Sequence, residues 1–330
     1  MDLKFSLREK ELHFLLEKQL THRLMLFGLK HGFFSTDLRE KAFTLLFNVS
    51  IQAEIQEARS FIQASEGAKL NEIQEGVVIK NDVERSFNTS LTVSGIEARE
   101  KEELRGKLLV LLKGFFLAHP EFSYYQGFNA IAETFLMSFG VDLGFVFLKH
   151  FSILFLKPFL QAKQLVTVLD KINEKIVRII KSETAIEFGK DQLFLVIGWV
   201  ISYFSHNLPS TDLVWRLWDF LICLKLGLKD PKQLSKDLPP ELSKLRLLTT
   251  SEQKKVEDNL NRVSPVDDDE TLIEYVVSKV LIYYIGKTNG KTQDPDHRFR
   301  FIKKIPAEML DETNFEIILL RSIALIQTFD

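Results

Sequence analysis

Residues Ser94–Gly140 read SGIEAREKEELRGKLLVLLKGFFLAHPEFSYYQGFNAIAETFLMSFG. Apolar residues in this stretch recur at helical rather than alternating spacing. Leu104, Leu108, Leu111, Leu112 and Phe115 form one stripe. Ser94 with Glu97 resembles a capping box at its start. Pro120 stops it, because proline disfavours helix in the residue before it. After a short break, Phe128, Ile131, Ala132, Phe135 and Leu136 form a second stripe, and Gly140 reads as its C-terminal cap. Two amphipathic helices in succession, separated by a proline and a tyrosine-rich turn, point to an α-rich fold.

The same period extends outward. Upstream, Asp37 with Glu40 resembles another capping box, ahead of Leu38, Ala42, Leu45, Leu46 and Val49. Downstream, Leu193, Val196, Ile197, Val200, Ile201 and Phe204 form a further stripe. Tyr275–Ile285 is rich in β-branched residues, but Ile273, Val276, Val277, Val280, Leu281 and Tyr284 fit a helix, which is the reading adopted. The polar stretch Ser251–Glu270 reads as a linker or solvated loop, and Ala64–Gly76 as a second exposed loop. Twenty-eight phenylalanines predict wide aromatic core layers.

Composition narrows the function classes. A chain of 330 residues holds about two domains or one large one. Hydrophobic residues at 45% and charged residues at 27% are ordinary for a globular protein. The formal net charge of −2 offers no basic footprint for nucleic acid. The one cysteine, Cys223, excludes an intrachain disulfide, suits a reducing compartment and reads as core within Leu221–Leu224. The N-terminus has no apolar signal core. No integral membrane segment is expected. The best candidate, 192–211, is continuously apolar only over Leu193–Ile201, whereas a span needs about 20 apolar residues.

Local chemical motifs are few. Gly286-Lys-Thr-Asn-Gly290-Lys291-Thr292 imitates a phosphate-binding loop, but has three residues between its glycines instead of four and leads into Gln293-Asp294-Pro295-Asp296, a poor helix start. It reads as a surface turn. The seven histidines show no zinc-ligand spacing, so no metal is expected. Two stretches stand out: Ile79–Phe87, an apolar run ending in mixed charges, and Tyr124-Tyr125-Gln126-Gly127-Phe128-Asn129. Gln126 falls at or just before a helix N-terminus, where the partial positive charge favours an anion. Gly127 lets another chain approach closely. On the residues alone, Arg85 three after Asp82 reads as an ordinary local ion pair.

Together these stretches resemble the TBC domain, the catalytic module of Rab GTPase-activating proteins. The family pattern I-x-x-D-x-x-R-[TS] appears as Ile79, Asp82, Arg85 and Ser86, and Y-x-Q-G as Tyr124, Gln126 and Gly127. An upstream L-R-x-x-[VA]-[WF] appears as Leu38, Arg39, Ala42 and Phe43, with Phe where Trp is usual. W-x4-F runs from Trp199 to Phe204, and R-x-W-D is Arg216, Leu217, Trp218 and Asp219. The paired tyrosines and Gly198–Leu208 look most like the branch acting on early-secretory Rabs at the endoplasmic reticulum.

The resemblance implies an all-α, two-lobed helical TBC domain over residues 32–245, with no substantial sheet. An N-terminal helical segment covers 1–31. Residues 246–330 form a polar linker followed by C-terminal helices that pack on or extend the domain. It also implies a GTPase-activating protein whose partner is a Rab-family small GTPase. Arg85 and Gln126 would be the catalytic fingers, with Asp82, Tyr124, Gly127 and Asn129 in support. GTP and Mg²⁺ would be carried by the partner, so the chain needs no cofactor of its own. The expected location is cytoplasmic, meeting endomembranes peripherally through partners. Asp82 would hold Arg85 or nearby backbone, and Tyr124 would pack under the glutamine loop; a helix-capping Asp82 and a core Tyr124 are the alternatives. Trp199 and Trp218 read as core. Arg216 and Asp219, three apart, would pair with each other. Where the family usually places Asp after the Asn, this chain has Ala130, which keeps a second reading open: a catalytically inactive scaffold, Rab-binding adaptor or subunit of a larger assembly.

Overall fold

The computed structural model describes residues 3–69, 75–88, 97–184, 196–245, 248–261, 271–287 and 310–326. Among them the regular structure is helical throughout, with no strand, as the spacing of apolar residues predicts. The helices are α1 (Leu3–Glu17), α2 (Thr21–His31), α3 (Thr36–Leu46), α4 (Ile51–Gly67), α5 (Gly76–Arg85), α6 (Ala98–Ala118) and α7 (Phe128–Phe151). After α7 the chain continues through a π turn, Ser152–Leu156, into Lys157–Leu160. There follow α8 (Leu165–Thr184), α9 (Ile197–Ile201), α10 (Thr211–Gly227), α11 (Pro231–Leu245), α12 (Thr250–Leu260), α13 (Ile273–Lys287) and α14 (Glu312–Ser322).

The two predicted stripes become α6 and α7. Leu108, Leu111, Leu112 and Phe115 are fully buried, as are Phe128, Ile131, Ala132 and Phe135. α4, α6 and α7 pack on one another, and α5 lies against α6 and α7. α2 packs on α10 and α11, α11 on α12, and α13 on α8 and α14. Gly140 does interrupt the helix, with φ 72 and ψ −169, a left-handed break that favours glycine. The run Phe128–Leu160 is long and apolar enough to cross a membrane, its most apolar 18 residues having a mean hydropathy of 1.7, but 61% of those are buried inside the protein. Its phenylalanines build the predicted aromatic layers. Phe135 stacks on Trp218 at 5.2 Å, and Phe139 meets Phe147 edge-on at 4.9 Å. Such pairs contribute about 0.5–1.5 kcal/mol beyond area burial. Trp199, Trp218 and Cys223 are buried, as expected.

Four local expectations need correction. The N-cap of α3 is Ser35, whose hydroxyl accepts from the Leu38 N–H at 3.3 Å; Asp37 sits inside the first turn. Residues 64–67 are the last turn of α4 and not a loop. Ser65 is buried, its hydroxyl 2.7 Å from the Ile62 carbonyl of its own helix and 3.2 Å from the Val110 carbonyl on α6. Residues 251–260 are helical in α12, because Val256 and Leu260, four apart, give it a buried edge. Arg216 and Asp219 take other partners. Asp219 receives the Arg39 fork, Nε at 2.9 Å and Nη2 at 3.0 Å, and the Phe33 N–H at 2.9 Å. Arg216 forks onto Glu316 of α14 at 2.5 and 2.7 Å and donates to the Leu29 carbonyl at 2.9 Å. Ser94, Leu193, residues 262–270 and most of the glycine-rich turn, 288–292, lie outside the described residues.

Candidate functional site

α5 is ten residues long and buries one edge, Ile79, Asp82 and Val83. Two of these are apolar. The third is a carboxylate, and a buried charge needs partners. Asp82 has two. Arg85, one turn later and the last residue of the helix, contacts Oδ1 through Nη2, and the Tyr124 hydroxyl donates to Oδ2 at 2.7 Å. The pair is asymmetric: the Asp82 side chain is 4% exposed and that of Arg85 67%. A sealed carboxylate thus holds the guanidinium end of an arginine whose side chain otherwise stands largely in solvent.

Tyr124 belongs to the turn that feeds α7. It packs edge-on against Phe116 at 5.8 Å and Phe128 at 6.3 Å. Burial first, and the Asp82 carboxylate second, push its phenol above the ordinary range, so the proton stays on and the hydroxyl donates. Tyr124 is thus a core aromatic, as one of the two readings of it expects, and its hydroxyl also fixes Asp82. Removing only its hydroxyl leaves a buried carboxylate oxygen without its donor. Tyr124→Phe is expected to destabilise the fold by about 1–3 kcal/mol, read by urea denaturation. A change within about 0.3 kcal/mol would show that Asp82 does not depend on this bond.

Gln126 is exposed and immediately precedes Gly127, the N-cap of α7. Gly127 sits at φ 108, a conformation that glycine adopts at little cost. A β-carbon there would stand 3.1 Å from Ile201 Cγ1. The close approach expected at this glycine is therefore made by α9 of the same chain. Three further bonds fix the turn. Tyr125 donates its hydroxyl to the Ile201 carbonyl at 3.0 Å, the Ser123 N–H donates to the Leu160 carbonyl at 2.7 Å, and the Tyr124 N–H donates to Glu75 Oε2 at 3.3 Å.

A second stitch joins the two stretches. Asn129 Nδ2 donates to Ser86 Oγ at 3.1 Å, and Ser86 Oγ donates to the Asp82 carbonyl at 3.0 Å. The expected site residues thus lie on two joined stretches: Arg85 is exposed at the end of α5, Gln126 is exposed just before α7, and Asp82, Tyr124, Ser86 and Asn129 link the two. Tyr125, Glu75 and Ser123 were not among the expected site residues. Tyr125 had a signal in the paired tyrosines; Glu75 and Ser123 had none. Among the described residues no group of three His, Cys, Asp or Glu side chains is placed to hold a metal ion.

The sequence model described as the Rab-GTPase-TBC domain matches residues 36–230. The GTPase-activating protein gyp10 of Schizosaccharomyces pombe is 26% identical over 197 residues, 58% of this chain and 50% of that protein. TBC1 domain family member 20 of Homo sapiens and of Bos taurus are each 25% identical over 137 residues, 39% of this chain and 32% of theirs. The matches span half or less of the length of these curated relatives.

Proposed function

The chain belongs to the Rab-GTPase-TBC domain family, and from that premise we propose that it accelerates GTP hydrolysis by a Rab-family small GTPase, supplying Arg85 and Gln126 in trans. The observation that carries the reading is that Arg85 and Gln126, both exposed and 41 residues apart in sequence, stand on elements bound together by the Asp82–Tyr124 and Ser86–Asn129 contacts. Hydrolysis needs a positioned water and cancellation of charge growing on the phosphate oxygens. Arg85 enters the partner's nucleotide pocket and stabilises that charge; its guanidinium stays ionised and offers a rigid planar set of donors. Gln126 orients the attacking water. GTP and Mg²⁺ belong to the partner, and the chain works from the cytoplasmic side, meeting endomembranes through its GTPase.

The test is single-turnover GTP hydrolysis by a panel of Rab GTPases with and without the chain. One or more should be accelerated. Gln126→Ala is expected to reduce the saturating rate by about 10²–10³-fold, the scale of losing one aligned hydrogen-bonding group at a reacting centre. Ala130 supports the second reading, a non-catalytic Rab-binding scaffold. The position that usually carries an acid is a buried methyl group. That reading predicts binding without acceleration for every GTPase in the panel.

A further inference from the structure

We propose that Arg105 is a positioning residue for Arg85, acting through the main chain that leaves α5; the proposal rests on the in-trans reading of Arg85. Arg105 lies on α6, and its guanidinium reaches across to the end of the neighbouring helix. Nε donates to the Ser86 carbonyl at 3.2 Å, and Nη2 donates to Asn88 Oδ1 at 2.8 Å. Nη1 is 3.4 Å from Glu102 Oε2 on its own helix. The side chain is only 21% exposed, so this is a seated contact and not a surface encounter.

The end of α5 needs such a contact. The last carbonyls of any helix lack partners, and a helix of ten residues has little intrinsic stability to hold its final turn. That turn carries Arg85. Ser86, next in the chain, is fixed at three atoms: its N–H on the Val83 carbonyl at 3.0 Å, its hydroxyl between Asp82 and Asn129, and its carbonyl on Arg105. Phe87 then turns at φ 63 and is buried, a backbone state that a non-glycine residue keeps only when its surroundings impose it. A cation at a helix C-terminus also interacts favourably with the helix dipole; here α6 supplies it to α5. Asp82 and Tyr124 hold the side-chain end of the arginine, and Arg105 holds the backbone end. The fork spans both Ser86 and Asn88, which a lysine point charge does not reproduce.

The experiment is single-turnover hydrolysis by a responsive Rab loaded with GTP, titrated with the full chain. Arg105→Met is expected to lower the saturating rate on the order of tenfold to a hundredfold, the scale of a misplaced catalytic group. The half-saturating concentration should stay within about twofold, since docking is untouched. Arg105→Lys should be intermediate. In an Arg85→Ala background, Arg105→Met should have no further effect. Circular dichroism melting accompanies each variant. If Arg105→Met does not fold, Arg105→Lys and Asn88→Ala, which each remove part of the fork, carry the comparison. An unchanged saturating rate in the folded variants, a loss confined to half-saturation, or a full additional loss without Arg85 overturns the proposal. Loss in Arg85→Ala with none in the Arg105 variants refutes the positioning role alone. Full stimulation by Arg85→Ala removes the finger reading, and this proposal with it.

Discussion

Replacing Arg85 with alanine is expected to lower the stimulated hydrolysis rate by about 10³–10⁵-fold, the range an arginine supplied in trans contributes. That corresponds to roughly 4–7 kcal/mol of barrier. The loss should fall on the saturating rate, because the interaction forms with charge that appears only in the transition state. The fold should survive, since the Arg85 side chain is largely in solvent and covers little apolar surface. Its one structural debt is to Asp82, which would keep the Tyr124 hydroxyl but lose a cation. Arg85→Lys separates the two roles. An ammonium still neutralises Asp82, so stability should stay near wild type, but it lacks the planar fork, and most of the rate should remain lost. Single-turnover rates and melting curves on the same three proteins check both statements. Equal stimulation by wild type and Arg85→Ala would take the residue out of the mechanism.

Asp219→Ala is expected to destabilise the chain by about 3–5 kcal/mol, the cost of breaking a buried ion pair from one side. Asp219 is fully buried and Arg39 is 6% exposed. The carboxylate takes both arms of the Arg39 fork and the Phe33 N–H, while the guanidinium lies 4.8 Å over the Trp215 ring. Removing the acid strands a cation between an indole and the turn after α2. Urea denaturation measures the loss, and a value below about 1 kcal/mol would mean that water reaches Arg39. The pair joins the first family pattern, Leu38–Phe43, to the last, Arg216–Asp219. These end motifs are therefore fastenings of the fold, distinct in role from the two stretches at the site. Folded Asp219→Ala should keep its stimulated rate.

What could be read from the sequence follows from the range of each interaction. Helices were legible wherever an apolar face repeats over several turns, as in α6, α7 and α13. α12 was missed because two buried side chains, Val256 and Leu260, are too few to outweigh its polar composition. The last turn of α4 was missed because polar Ser65 is buried against α6, where the Val110 carbonyl 3.2 Å away belongs to a residue 45 positions on. The same limit misassigned Arg216 and Asp219. Spacing of three on a helix makes a local pair attractive, but Arg39 and Glu316 lie 180 and 100 residues distant. The site itself was legible only in combination. Arg85 beside Asp82 is an ordinary ion pair, and Gln126 before Gly127 an ordinary helix start. Their appearance in one family order, with Tyr124 and Asn129, is what pointed to a shared site. Arg105 left no trace in the pattern, because its job is done on a carbonyl.

A chain that supplies the water-positioning carboxamide as well as the arginine has no need of the partner's own glutamine. The direct measurement uses a responsive Rab whose own pocket glutamine is replaced by leucine, loaded with GTP and followed through a single turnover. Wild-type chain should still accelerate that GTPase, to within about tenfold of its effect on the unmodified one, and Gln126→Ala chain should not. Strong stimulation of the unmodified GTPase with none of the leucine variant would show instead that the partner uses a glutamine of its own and that Gln126 does not position the water.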